Sequence, residues 1–188
     1  MFARKGFDGA SIRDITREAG ANLGAVTYHF GSKRSLYAAV LVHGLTPMVD
    51  RVGEASRAHG TPTERLGRVV EVFFEHLAAN PDLPRLMLQE VAAGRKPPPE
   101  LVGLVQRNLG HVTAILTEGW REGDLRPGHP VLTALSVVSL PVYLTIMAPM
   151  LREVGGLDLS DPAVRATAVH HVKEFVRRGL AAPQESPA

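Results

Sequence analysis

Between Ser11 and Lys33 the chain runs SIRDITREAGANLGAVTYHFGSK, and this stretch limits the fold more than any other. Its spacing predicts two short helices joined by a glycine turn, the outline of a helix-turn-helix. Ser11 stands as N-cap with Asp14 three residues on; Ile12, Ile15 and Ala19 then share one face, while Arg13, Arg17 and Glu18 take the other. Gly20 follows the last periodic residue, where a helix stops through a positive φ, and Asn22 caps a second helix through Tyr28. Val26 and Phe30 are its inward residues.

The outer positions of that second helix, Leu23, Gly24, Ala25, Thr27, Tyr28 and His29, combine small with polar side chains, which suits a helix lying in the major groove of DNA. Small residues let the backbone come close. A Thr meets a base edge or a thymine methyl, whereas a Tyr hydroxyl meets phosphate and sets register. Gly31 then breaks the helix and Ser32 caps a third, leaving Lys33 beside free backbone N–H groups at a positive helix end that suits a phosphate. The predicted DNA-contacting set is Ser11, Arg13, Asn22, Leu23, Gly24, Ala25, Thr27, Tyr28, His29 and Lys33. A glycine between two amphipathic helices also occurs in ordinary helical bundles, so the pattern alone leaves that reading open.

The string GAVTYHFGSKRSLYAAVL narrows it. It resembles the end of the recognition helix and the start of the next helix in TetR-family transcriptional regulators, and the preceding FARKGFDGASIRDI run resembles that family's link between its first two helices. The resemblance covers about residues 1 to 45 at motif level; beyond residue 50 only the general plan matches. It implies an all-α fold: a helix-turn-helix head that binds operator DNA on a larger helical domain that binds a small ligand and dimerises. The family places a full first helix ahead of the motif, and Met1-Phe2-Ala3-Arg4-Lys5 corresponds to that helix's last turn. The expectation is therefore a head whose first helix is mostly missing, through a truncated or misassigned start or in a weakened DNA-binding domain.

Charge is distributed in keeping with such a head. The net charge is only +2, but residues 1 to 40 hold Arg4, Lys5, Arg13, Arg17, Lys33 and Arg34 against Asp8, Asp14 and Glu18. The basic bias sits on the proposed DNA-binding region. The length of 188 residues and 45% apolar content suffice for a buried core, although a 45-residue head is marginal alone and has to lean on the body. No cysteine is present, which removes disulfides, thiolate zinc sites and cysteine redox sensing. Met1 leads into a charged, glycine-broken segment instead of an apolar run, so no signal peptide is expected and the cytoplasm is the default location.

The expected domains are a head over 1–45, a ligand-binding and dimerisation body over 46–181 and a frayed tail over 182–188. The helix begun at Ser32 runs toward Arg57, with a kink expected at Gly44 and Pro47. Thr61-Pro62-Thr63-Glu64 opens the next helix and Asn80-Pro81 ends it; a shorter helix covers Asp82 to Ala93, and another resumes from Glu100 to Glu122. Val131 to Leu151 is uncharged over 21 residues, long enough to cross a bilayer. Pro141 and Pro149 interrupt it and Ser and Thr dilute it, which favours a helix covered by its own domain and a partner subunit. Ser160-Asp161-Pro162 starts the last helix, with Val164, Ala168, His171, Val172, Phe175 and Val176 along one stripe. The last two long helices together form half of an expected intersubunit four-helix bundle.

Effector candidates are Phe73, Phe74, Leu77, Leu86, Met87, Glu90, His111, Ile115, Trp120, Tyr143 and Met147, with Glu90 or His111 orienting one polar end of a mostly apolar ligand. Stripes of this kind at helical spacing equally make ordinary core. No glycine-rich phosphate loop, Gly-x-Ser-x-Gly turn or His-Glu-x-x-His pair occurs, and adjacent His170 and His171 point about 100° apart on a helix. No catalytic role, metal or cofactor is expected. The reading that results is a dimeric, ligand-responsive repressor of near-palindromic operator DNA. Its rivals are an activator of the same fold, a helical small-molecule-binding protein with a non-functional head, and a membrane protein.

Overall fold

The computed structural model describes residues 1–182. Nine helices are present among them: α1 (Phe2–Gly9), α2 (Ile12–Glu18), α3 (Leu23–Phe30), α4 (Lys33–Arg57), α5 (Pro62–Ala79), α6 (Asp82–Ala92), α7 (Pro99–Glu122), α8 (Pro130–Gly155) and α9 (Pro162–Leu180). The fold is all-α, with a helix-turn-helix head on a larger helical body. Helix α5 lies at the centre of the body, packed by α4, α7, α8 and α9, and its burial explains the position: Leu66, Val69, Val70, Phe73, Phe74 and Leu77 are all buried. Helix α4 starts in the head and lies along α7 and α5, so one continuous element joins the two regions.

Capping sets most boundaries. Thr61 and Glu64 form a reciprocal capping box at α5, Asp161 accepts from the Ala163 N–H at α9, and Gly123 ends α7 in the left-handed region. The opening turn is held by Arg4 and Lys5 N–H bonds to the Met1 carbonyl, after which the backbone leaves helical geometry at Gly6.

Two expectations change. The prolines do not interrupt α8, which passes through Pro141 and Pro149; α4 likewise runs as one helix through Pro47. An interior proline costs a helix about 3 kcal/mol, and burial of Ala134, Val137 and Pro141 against the bundle offsets part of that in α8. In α4 the His76 ring nitrogen hydrogen-bonds the Gly44 carbonyl at 2.8 Å, an outside partner beside the proline-disturbed turn. The α9 stripe also divides: Val172 and Val176 are buried, whereas His171 and Phe175 face outward. Finally, Ala181 still pairs with Leu125, and the Arg126 N–H donates to the Leu180 carbonyl at 2.9 Å. The Ala182 N–H lies 3.5 Å from the Asp124 carbonyl, and the rest of the predicted tail, 183–188, lies outside the described residues.

Helix α8 is long and apolar enough to span a bilayer, yet only 17% of its most apolar window is buried. Val131, Leu132, Leu135, Tyr143, Met150 and Val154 of α8, with Phe175 of α9, leave a broad apolar surface uncovered.

Candidate nucleic-acid interface and effector cavity

The head presents its two short helices as the sequence predicts, with side chains fixing the turn. The Ser11 hydroxyl oxygen accepts from the Asp14 N–H at 3.0 Å and donates to the Asp14 carboxylate at 2.7 Å; that bond, with Arg17 nearby, holds the Asp14 carboxyl below its ordinary range. Gly20, at φ 63°, turns the chain out of α2 in a conformation that a β-carbon disfavours. The Asn22 side-chain oxygen then accepts from the N–H groups of Gly24 at 2.8 Å and Ala25 at 3.2 Å, which starts α3. Ser11 and Asn22 are therefore positioning residues.

Helix α3 has no buried residue. Val26 and Phe30 are half-buried inward, while Leu23, Gly24, Ala25, Thr27, Tyr28 and His29 are exposed, Tyr28 to 94%. This runs one turn of small backbone-near positions into a Thr-Tyr-His edge, the chemistry that a groove-reading helix needs. Arg13 on α2 is exposed with no acidic partner among the described residues, whereas Arg4 pairs with Glu18 and Arg17 with Asp14.

Lys33, predicted to meet phosphate, is engaged elsewhere. Its ammonium donates to the Ala10 carbonyl at 3.0 Å and lies 4.5 Å from the centre of the Phe7 ring. Seated there, it straps the start of α4 to the end of α1. Sequence spacing placed the lysine at a helix N-terminus correctly but gave no sign of the carbonyl that it reaches, 23 residues away.

The head is joined to the body by contacts that sequence reasoning missed. The Arg34 guanidinium embraces the buried Glu90 carboxylate with both terminal nitrogens and donates also to the Lys96 carbonyl at 3.0 Å. Its hydrogen bond to Glu90 raises the already high pKa of Arg34. The Tyr37 hydroxyl donates to the Leu86 carbonyl at 3.0 Å, and burial pushes its pKa up. Arg95 pairs with Asp8 at 3.1 Å and stands 4.7 Å from the Phe7 ring centre. A joint of this kind runs from α1 and the start of α4 to α6 and the segment that follows it.

The predicted effector residues do not converge on one site. Phe73 and Ile115 are core, and Leu86 lines a groove of about 520 Å³ beside Phe2, Ile15 and Leu36. Glu90 cannot serve as a free polar end, because Arg34 holds it. His111 lies between α4 and α7 against Gly53, where burial and then Arg57 and Arg107 lower its pKa. Trp120 packs near Gly128, its indole N–H without a partner among the described residues, and lines none of the body cavities described here. Tyr143 is 57% exposed, and Met87 and Met147 are half-buried. Of these, Phe74 and Leu77 alone reach an open-sided cavity of about 610 Å³ lined by α5, α6, α8, the turn before α9 and the start of α9. Its other walls include Pro84, Arg85, Leu88, Ile146, Pro149, Leu159 and Arg165. The size suits a small-molecule ligand.

A helix-turn-helix head on a larger helical body defines a class of transcriptional regulator, and the comparisons give its family. Residues 62–176 match the Tetracyclin repressor-like C-terminal domain, and residues 1–40 match the domain of the Bacterial regulatory proteins, tetR family. The chain belongs to the TetR family of transcriptional regulators. It is similar to the HTH-type transcriptional regulator RutR of Escherichia coli K12, 25% identical over 181 residues, which is 95% of this chain and 84% of that one. The putative transcriptional regulator SCO4942 of Streptomyces coelicolor has a similar fold, with a TM-score of 0.73 and 26% identity over 97% of this chain and 93% of that one. So does the transcriptional regulator FadR of Bacillus subtilis, solved in complex with stearoyl-CoA, at a TM-score of 0.76 and 19% identity over 95% and 92%.

Proposed function

We propose that the protein is a cytoplasmic, ligand-responsive repressor: a homodimer that holds near-palindromic operator DNA through α3 and releases it when a small, mostly apolar effector fills the body. The observation that carries this reading is α3 itself, eight residues with none buried and an edge of Thr27, Tyr28 and His29 turned outward. Arg13, Leu23, Gly24, Ala25, Thr27, Tyr28 and His29 make the contact, with Ser11 and Asn22 holding the two helices in register. The exposed apolar surface of α8 and α9 supports dimerisation over membrane insertion, since α8 is packed on α5, α6, α7 and α9 along its other side. A twofold dimer places its two α3 helices on successive major-groove faces, about 34 Å apart, which is why a near-palindrome follows.

The effector acts by changing that separation. Effector in the 610 Å³ cavity bears on α6, whose Leu86 and Glu90 bond Tyr37 and Arg34 at the start of α4, so a modest shift of α6 pivots the head. By reciprocity, DNA weakens the effector to the same degree. Stearoyl-CoA in the B. subtilis regulator supports an effector with a long apolar portion.

Selecting bound DNA from a random pool tests the reading directly. A near-palindromic consensus is expected, and Thr27→Ala should relax one base-pair position by about 1 to 3 kcal/mol while leaving the others intact. Recovery of no preferred sequence would instead support a small-molecule-binding protein with a non-functional head.

A further inference from the structure

We infer, resting on the effector reading above, that the ligand of the α5–α6–α8 cavity is an amphipathic anion: a carboxylate or phosphate head on an apolar body. Two arginines reach this cavity, Arg85 from the first turns of α6 and Arg165 from the start of α9. Neither has a carboxylate partner among the described residues. Arg165 is half-buried, and its one hydrogen bond there, to the Leu159 carbonyl at 3.2 Å, fixes the guanidinium against the cavity wall and leaves its other N–H groups to face a ligand.

The acids that ordinarily neutralise such arginines are engaged. Glu71 on α5 pairs with Lys173, and Glu75 pairs with Arg51. Asp158 accepts from Ser160, whose hydrogen bonds hold its carboxyl below the ordinary range, and Asp161 caps α9. Asp82 is the one carboxylate on the cavity wall, and like Arg85 it is exposed at the rim; two arginines against one acid give the lining a formal positive surplus. Between them lie Phe74, Leu77, Pro84, Leu88, Ile146 and Pro149, an apolar floor that cannot solvate an ion but accepts a hydrocarbon or aromatic body. A planar guanidinium matches a carboxylate or phosphate in two parallel N–H bonds, and with two of them an anionic head is favoured over a neutral or cationic one.

Decanoate, 1-decanol and decyltrimethylammonium, which share the tail and differ in the head, separate the possibilities by isothermal calorimetry on the full chain. Decanoate should bind about tenfold or more tightly than 1-decanol, and the cation should bind worst. Arg165→Met and Arg85→Met should each weaken decanoate about tenfold and leave 1-decanol unchanged. Asp82→Asn, at an exposed position that does not threaten the fold, should tighten decanoate. Equal affinity for decanoate and 1-decanol overturns the inference, as does an equal loss of both in the arginine variants, or no binding of any probe. Operator affinity is read in the same samples. Carboxylate-selective binding that leaves DNA affinity unchanged refutes the release mechanism and spares this inference, while release by 1-decanol alone does the reverse.

Discussion

Helix α3 buries none of its eight residues and helix α8 only three of its twenty-six, yet the surfaces they leave open are opposite in chemistry. On α3 the open positions are one leucine with glycine, alanine, threonine, tyrosine and histidine; on α8 they are mainly valine, leucine, tyrosine and methionine, with Ser136, Ser139 and, near the C-terminal end, Arg152 and Glu153. A polar, small-residue face can stay in water until a polyanion arrives. A wide aliphatic face is costly in water at roughly 25 cal/mol per Å² and calls for permanent cover. On the proposed function the head meets a reversible partner and the body a standing one, with the Arg34–Glu90 joint as the route between the two regions.

That joint gives the largest expected effect. Glu90 has 5% of its side chain exposed and Arg34 30%, so Arg34→Met leaves a buried carboxylate without its partner and should cost about 3 kcal/mol in urea unfolding. Replacing both, Arg34→Met with Glu90→Leu, should restore most of that stability, while operator release by effector becomes less complete. If the double variant responds to effector as the unaltered chain does, the head and body communicate by another path.

The contrast between the two faces is sharpened next by Phe175→Glu, at a position 61% exposed in the protomer. It should weaken self-association by about 2 kcal/mol or more in sedimentation equilibrium and leave the circular dichroism of the fold unchanged. Val172, its neighbour on the expected stripe, is 1% exposed, so a charge there would unfold the bundle and say nothing about the dimer. A Phe175→Glu protein that associates as tightly as the original would remove this surface from the interface.

The sequence showed the elements better than their partnerships. Periodicity and capping residues located α2, α5, α7 and α9 because those signals act within four residues of one another: Ser11 with Asp14, Thr61 with Glu64, Asp161 with Ala163. The outward edge of α3 was equally legible, since a helix that reads DNA must be exposed. What stayed hidden depends on distant pairs. Arg34 and Glu90 are 56 residues apart, Arg95 and Asp8 are 87, and no local pattern distinguishes a buried carboxylate with a partner from one awaiting a ligand. Arg85 and Arg165 were passed over for the same reason: an arginine on a helix is ordinarily a solvated one, and only the cavity between their helices gives them a shared task.

Lys33 carries the same lesson at smaller scale. With its ammonium bound to the Ala10 carbonyl, Lys33→Met should lower stability by about 1 kcal/mol. The dependence of operator affinity on salt should hold its slope. A slope flatter by about one unit would put the ammonium on phosphate in the complex and reverse the assignment.

The smallest expected effect is a pH dependence at the α4–α7 contact, and its sign follows from packing. A β-carbon on Gly53 would stand 2.9 Å from the His111 ring nitrogen, so the imidazole occupies the space that a side chain of α4 would otherwise fill. Burial, with Arg57 and Arg107 close by and Asp50 opposing them only in part, lowers the His111 pKa below 6.5. The folded state therefore favours the neutral ring, and below pH 6.5 the unfolded chain takes up a proton that the folded one resists. The stability contributed by neutral His111 is complete above pH 6.5 and is lost as the pH falls from there toward the lowered folded value. Urea midpoints measured from pH 8 down to pH 5 should decline more steeply for the unaltered protein than for His111→Gln, which has no proton to gain. Parallel declines in the two proteins would mean that the ring meets water as readily in the fold as out of it.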